Sequence, residues 1–120
     1  MSNKVLICDD CSDILEMTSM MLEIGGYEPL TEIDSTLFIS RALQESPGVL
    51  LLDLWMPFLP GDQLAIAIRG TPGLAHLPII IFSAALDAKD KAIQAGADYF
   101  ISKPFDMDEL LETVHLASGK

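Results

Sequence analysis

The chain has 120 residues, of which 50% are apolar and 21% are charged, a composition typical of one globular domain and not of a disordered segment. Its formal net charge of −11 repels nucleic acid phosphates, which argues against direct nucleic-acid binding. No apolar run approaches the roughly 18 residues of a membrane span, and the first four residues show no signal-peptide pattern. We therefore expect a cytoplasmic protein of one domain, residues 1–120, without membrane insertion.

The first strand and the first helix are predicted between residue 4 and the glycines at 25 and 26. The run from Lys4 to Cys8 predicts a strand, and a helix is expected to begin at Cys11 or Ser12. Gly25-Gly26 is expected to end this helix, because glycine readily adopts the backbone conformation that follows a helix C-terminus. Apolar residues at helical spacing are expected to face the core, namely Ile14, Met17, Met21 and Ile24.

The segment Cys8-Asp9-Asp10-Cys11 has the C-x-x-C spacing of redox motifs. A reactive thiolate needs positive surroundings, whereas two aspartates between the sulfurs raise the thiol pKa. We therefore expect no redox or zinc chemistry here. Instead, Cys8 is expected to pack in the sheet and Cys11 to start the helix.

The next two strands differ in polarity. Tyr27 to Ile33 is the more polar and is expected near a sheet edge, whereas Val49 to Asp53 is apolar up to its last residue and predicts a central strand covered on both faces. Between them, Asp34 or Ser35 is expected to cap a helix. The apolar stripe of that helix is predicted to comprise Leu37, Phe38, Ala42 and Leu43.

The second half of the chain repeats the alternation of strand and helix. Three helices are expected: from Gln63 to Arg69, from a cap at Asp87 to Ala95, and after a cap at Asp106. Two strands are expected between them, from Pro78 to Phe82 and from Asp98 to Ser102. Since five strands alternate with helices, right-handed crossovers produce a parallel sheet covered on both faces, an α/β fold.

Polar residues follow four of the predicted strands. Asp9 and Asp10 follow the first, Asp53 ends the third, Ser83 follows the fourth and Lys103 follows the fifth. The carboxyl ends of parallel strands form one edge of a sheet, where open α/β folds bind ligands. We therefore expect these side chains to converge there.

Further residues of the pattern come after three of these: Met56-Pro57 after Asp53, Ala84 after Ser83 and Pro104-Phe105 after Lys103. This ordered set resembles the receiver domain of two-component response regulators. The resemblance extends over essentially the whole chain. It implies the flavodoxin-like strand order 2-1-3-4-5, a cis Lys103-Pro104 bond and a receiver without an output domain.

The resemblance also implies the chemistry. Asp53 would accept a phosphoryl group, with Lys103 and Ser83 contacting its oxygens. Converging carboxylates need a cation, since two charges about 4 Å apart repel by about 4 kcal/mol at an effective dielectric near 20, and Mg²⁺ prefers oxygen ligands. By resemblance, Asp10 and Asp53 bind Mg²⁺ directly, Asp9 binds it through water, and the backbone carbonyl of Trp55 is the third protein ligand.

Partners and switching are implied in the same way. The phosphoryl donor would be a phosphohistidine on a sensor histidine kinase or a histidine phosphotransfer protein, and the downstream target is an unknown protein. Ser83 and Phe100 would form the switch, with the aromatic ring moving inward on phosphorylation. The chain would be a signalling phosphoacceptor and not an enzyme acting on other substrates. Trp55 and Ala85 depart from the usual pattern and are expected to tune hydrolysis.

Three other classes of protein remain as alternatives. A pseudo-receiver, or a receiver fragment of a hybrid kinase, would recognise partners without phosphorylation. A haloacid-dehalogenase-like phosphatase also uses an aspartate nucleophile with Mg²⁺, but Asp53-Leu54-Trp55 lacks the second acid of its D-x-D motif. A flavin-binding flavodoxin-like protein would need a phosphate-binding loop after the first strand, and that segment is acidic instead.

Overall fold

The computed structural model describes residues 3–84 and 88–119. The strands are β1 Lys4–Cys8, β2 Glu28–Glu32, β3 Val49–Asp53, β4 Ile79–Ser83 and β5 Tyr99–Ser102. The helices are α1 Ser12–Ile24, α2 Phe38–Glu45 (preceded by a 3-10 turn, Ser35–Leu37), α3 Gly61–Arg69, α4 Ala88–Gln94 and α5 Met107–Ala117. The predicted cap Asp87 and the position Ala85 lie outside the described residues.

The five strands form one parallel sheet in the order β2-β1-β3-β4-β5, as predicted. The polar strand β2 lies at an edge, and β3 is central with all five of its residues buried. Its side chains alternate between two cores: Leu50 and Leu52 face α2, α3 and α4, while Val49 and Leu51 face α1 and α5. An uninterrupted apolar run is thus explained by a strand that is covered on both faces.

The buried face of α1 differs from the predicted one. The residues that pack inward are Leu15, Thr18 and Leu22, whereas Met17 is 38% and Ile24 is 70% exposed. Apolar residues lie on more than one side of this helix. Their spacing therefore fits two alternative buried faces, which differ by a shift of about one residue. The predicted orientation was therefore wrong for Met17 and Ile24.

A similar correction applies to α2 and the 3-10 turn before it: Phe38 and Ala42 are buried as predicted, but Leu37 and Leu43 are 52% and 51% exposed. The caps agree better with prediction. Asp34 Oδ1 accepts a hydrogen bond from the Thr36 N–H at 2.9 Å.

The start of α3 lies against the end of β3. The helix begins at Gly61, two residues earlier than predicted, and the Gly61 N–H donates to the Leu54 carbonyl at 2.8 Å. A Cβ on Gly61 would collide with the backbone carbonyl of Asp53. This position therefore requires glycine because two backbones approach closely, and the contact fixes the end of the central strand. No helix within the described ranges is long and apolar enough to cross a bilayer.

Candidate functional site

Three carboxylates meet at the carboxyl edge of the sheet. Asp9 follows β1 and is 1% exposed, Asp53 ends β3 and is 5% exposed, and Asp10 is exposed. One oxygen from each of the three lies within 4.8 Å of the others. Because β1 and β3 are neighbouring parallel strands, their last residues necessarily end side by side.

Lys103 lies between two of these acids. Its Nζ donates to Asp53 Oδ1 at 3.0 Å and to Asp9 Oδ2 at 3.0 Å. The backbone N–H of Lys103 also donates to the Ser83 carbonyl at 2.8 Å, which ties the segment after β5 to the end of β4. The Lys103–Pro104 peptide bond is cis, as the sequence led us to expect. The amine predicted to reach the acids does reach them.

The acids and the amine change one another's protonation. Burial, followed by the charge of Asp9, raises the pKa of Asp53 to about 6 despite the opposing hydrogen bond from Lys103. Burial alone would lower the pKa of Lys103, but its hydrogen bonds and charge interactions with Asp53 and Asp9 outweigh that effect and raise the pKa. Lys103 therefore stays charged at neutral pH, and one lysine does not fully compensate the negative charge that surrounds Asp53.

The donor set suits a small divalent cation. All three side chains offer carboxylate oxygens, the ligands that Mg²⁺ prefers, and they include no thiolate or imidazole. Burial, and after it the charge of Asp9, raises the pKa of Asp53, so the ionised carboxylate is disfavoured here and a bound cation would offset that cost. Asp9 is held in place by a hydrogen bond from the Cys11 N–H to its Oδ1 at 2.9 Å. These residues fit a magnesium site.

The other predicted site residues occupy the same edge of the sheet. Ser83 ends β4 and is 1% exposed, next to the strand that bears Asp53. Trp55 lies in the segment after β3 with 53% of its surface exposed. Phe100 in β5 is half-buried against the α2–α4 core. Whether the Trp55 carbonyl binds a metal and whether Phe100 moves remain predictions.

Two contacts at this edge were not predicted from the sequence. The Nζ of Lys103 lies 4.6 Å from the centre of the Phe82 ring, and the Nζ of Lys91 lies 4.9 Å from the centre of the Trp55 ring. Phe82 was predicted only as an apolar strand residue, and Lys91 only falls within the helix predicted from Asp87 to Ala95. No local sequence pattern pairs a lysine with a ring so far away in the chain.

The thiols of the two cysteines are not part of this acidic cluster. Both are free thiols; Cys8 is buried in β1 and Cys11 is the exposed residue that precedes α1. Burial, with smaller contributions from Glu32 and nearby aspartates, raises the pKa of the Cys8 thiol to about 12. The thiol is therefore protonated and unreactive at neutral pH, which agrees with the packing role expected for it.

Known proteins share this fold and sequence pattern. The family model of the response regulator receiver domain matches residues 5–115, and the chain belongs to that family. The transcriptional regulatory protein KdpE of Mycobacterium tuberculosis (strain CDC 1551 / Oshkosh) is 35% identical over 115 residues, covering 94% of this chain and 50% of KdpE. The chain thus spans about half the length of this curated relative.

Solved structures agree over the full length of the fold. A protein of Chloroflexus aurantiacus J-10-fl assigned as a response regulator has a TM-score of 0.94 at 26% identity, with 100% of both chains covered. The chemotaxis protein CheY4 of Vibrio cholerae has a TM-score of 0.89 at 28% identity, covering 98% of this chain and 99% of CheY4. The flavodoxin-like receiver fold with strand order 2-1-3-4-5 is therefore shown.

Proposed function

We propose that this receiver takes a phosphoryl group from a phosphohistidine onto Asp53, with Mg²⁺ bound beside it, and thereby switches a protein-interaction surface. The observation that supports this most directly is the pair of 3.0 Å contacts from Lys103 Nζ to Asp53 and Asp9 at the edge where three carboxylates meet. A structural ion pair would need one acid. Three acids beside one lysine leave an excess of negative charge, which a bound Mg²⁺ would neutralise before a phosphoryl group arrives.

Asp10 and Asp53 would hold the metal directly, Asp9 through water, and Trp55 through its backbone carbonyl. When bound, Mg²⁺ supplies positive charge that offsets the repulsion between the carboxylates and an incoming phosphoryl group. The 5% exposure of Asp53 means that its carboxylate is largely shielded from bulk water.

Lys103 and Ser83 would bind the phosphoryl oxygens. In transfer, an Asp53 oxygen forms a bond to phosphorus while the bond from phosphorus to the donor imidazole nitrogen breaks. Lys103 Nζ, already adjacent to Asp53, stabilises the negative charge spread over the phosphoryl oxygens. Ser83 ends the neighbouring strand at the same edge, and its hydroxyl would donate to one of those oxygens.

Switching requires more than one new hydrogen bond. Changing a population from 1:99 to 99:1 takes a difference of about 5.5 kcal/mol between the two states, whereas one hydrogen bond contributes about 1 kcal/mol. We propose that the remainder comes from the added charge of about −1.5 to −2 and from repacking of Phe100, which is only half-buried before phosphorylation. The downstream partner would be a protein that recognises the face around α4, β5 and α5.

Intact-mass spectrometry tests this proposal. The protein is incubated with acetyl phosphate, with MgCl₂ or with EDTA, and the expected product is the mass of one added phosphoryl group with Mg²⁺ only. Asp53→Asn should abolish uptake. The control Asp106→Asn also removes one carboxylate but preserves the cap of α5, since asparagine is an equally good N-cap, and should behave like the wild type.

The outcomes separate the alternatives. No uptake by the wild type would favour a phosphorylation-independent interaction module. Continuous release of phosphate from many phosphate esters would favour a phosphatase. Uptake by Asp53→Asn would place the acceptor elsewhere and contradict the proposal.

A further inference from the structure

The Lys91–Trp55 contact joins α4 to the segment that follows Asp53. The Lys91 Nζ lies 4.9 Å from the centre of the indole ring, within the range of a cation–π interaction. Trp55 is two residues beyond Asp53 in the chain, whereas Lys91 is on the helix that follows β4. The contact therefore links the segment after β3 to α4.

The indole and Lys103 lie on opposite sides of the sheet. Lys103 Nζ is over Phe82, which belongs to the core formed with α1 and α5. Lys91 is on α4, whose buried residues Ala88 and Ala92 belong to the other core. Lys103 thus contacts Asp53 from the side of the α1 and α5 core, while Lys91 and the indole that it contacts belong to the α4 side.

Contacts with the core do not fully fix the indole, because Trp55 is 53% exposed. A tryptophan with half its surface in water has several accessible rotamers. A cation over its ring favours one of them, by about two- to fivefold in population for an exposed pair. In the structure, that cation is Lys91.

We propose that Lys91 is a positioning residue that holds the Trp55 indole over the α4 side of Asp53 and thereby slows hydrolysis of the aspartyl phosphate. In hydrolysis, a water oxygen attacks phosphorus, the bond from phosphorus to the Asp53 oxygen breaks, the carboxylate leaves, and the water protons pass to solvent and to the released phosphate. An indole held beside Asp53 restricts the approach of that water. This inference depends on the proposed function, because it concerns the lifetime of the phosphorylated state.

Four proteins test it: the wild type, Lys91→Met, Lys91→Arg and Lys89→Met. Methionine keeps much of the lysine stem and removes the charge, while arginine keeps a cation that can stack on the ring. Lys89 is exposed on the same helix, so Lys89→Met changes the net charge equally and leaves Lys91 in place. Because the chain has a single tryptophan, acrylamide quenching of its fluorescence measures access to Trp55 alone.

Each protein is phosphorylated with acetyl phosphate and Mg²⁺, freed of donor, and followed by intact mass. We expect Lys91→Met to increase both acrylamide quenching and the hydrolysis rate, the latter by at most about fivefold. We expect Lys91→Arg and Lys89→Met to stay close to the wild type in both measurements. That pattern would support the inference.

Three results would overturn it: unchanged quenching in Lys91→Met, increased quenching with an unchanged hydrolysis rate, or equal acceleration by Lys89→Met, which would indicate a net-charge effect. Failure of the wild type to take up any phosphoryl group would overturn the proposed function and this inference with it. The mass measured before hydrolysis distinguishes that result from failure of the inference alone.

Discussion

The Lys103 Nζ lies 3.0 Å from Asp53 Oδ1 although the two residues are 50 positions apart in the chain. The same Nζ also reaches Asp9, so one cation lies between two buried carboxylates. Removing the Lys103 ammonium group would leave two buried carboxylates without a positive charge beside them. Substitutions at these contacts, and in the packing that supports them, should therefore change both stability and phosphoryl uptake.

Lys103→Met should lower the free energy of unfolding by about 3 kcal/mol, because it removes one partner of a buried ion pair. This value is at the low end of the usual cost, since the lysine side chain is 20% exposed. It should also impair phosphoryl uptake. Urea unfolding in EDTA measures the stability. The control is Lys4→Met, whose more exposed pair with Glu45 at 3.8 Å should cost less than about 1 kcal/mol. Equal losses in the two variants would contradict the proposed importance of the Lys103 contacts.

Asp53→Asn should stabilise the metal-free protein at neutral pH. The folded-state pKa of Asp53 is about 6, above its ordinary value of 3.8. Between these two pH values the folded state binds more protons than the unfolded state, so the wild type loses stability as the pH rises through this window. A pKa difference of about 2 between the two states corresponds to at most about 3 kcal/mol above pH 6.

The measurement is urea unfolding of both proteins in EDTA at pH 4.5 and pH 8. The asparagine side chain of the variant does not ionise, so the stability advantage of the variant should be largest at pH 8 and small at pH 4.5. A variant less stable than the wild type at pH 8 would contradict the electrostatic account. Added Mg²⁺ should stabilise the wild type more than the variant.

Gly61→Ala should disturb both stability and the site. The new Cβ would meet the backbone carbonyl of Asp53 in a buried position, and overpacking of this kind costs about 2 kcal/mol. Because the displaced carbonyl belongs to the proposed phosphoacceptor residue, uptake of phosphoryl groups should slow as well. Gly70→Ala is the matched control: its nearest neighbour would be 3.6 Å from the Cβ, and its φ is −88°. Wild-type behaviour of Gly61→Ala would show that the two backbones separate easily.

Thr18→Val should raise the free energy of unfolding by about 1 kcal/mol, because valine removes a buried hydroxyl whose hydrogen-bonding capacity is not satisfied. Thr18 is 0% exposed, and its Oγ1 has no hydrogen-bond partner among the residues that the structure describes. Thr113→Val is the comparison, since the Thr113 hydroxyl donates to the Glu109 carbonyl at 2.9 Å. A loss of stability in Thr18→Val would indicate that the hydroxyl does find a partner.

The residues at the carboxyl edge were predicted from the sequence because apolar strands followed by polar side chains have a local pattern, whereas the strand order followed only from the resemblance to receiver domains. Asp9, Asp53, Ser83 and Lys103 all lie where that pattern placed them. The buried face of α1 was not predicted, since this helix has apolar residues on several sides and only tertiary packing selects Leu15 and its neighbours.

Long-range contacts of charged residues also escaped prediction. Arg69 was expected to end a helix. Its guanidinium donates to the carbonyls of Gly96, Ala75 and Leu77 and to Asp98, and so ties together the two connections next to β4 and β5. Such contacts depend on where loops end in space, and the spacing of residues along the chain does not encode that directly. The same is true of Lys91 over Trp55.

The most direct test of the central claim is chemical mapping of the phosphorylated residue. The protein is phosphorylated with acetyl phosphate and Mg²⁺, reduced with borohydride, which converts an aspartyl phosphate to homoserine, and digested for tandem mass spectrometry. The account predicts homoserine at position 53 and at no other aspartate. Homoserine at Asp9 or Asp10, or an unreduced phosphate on a serine, would contradict it.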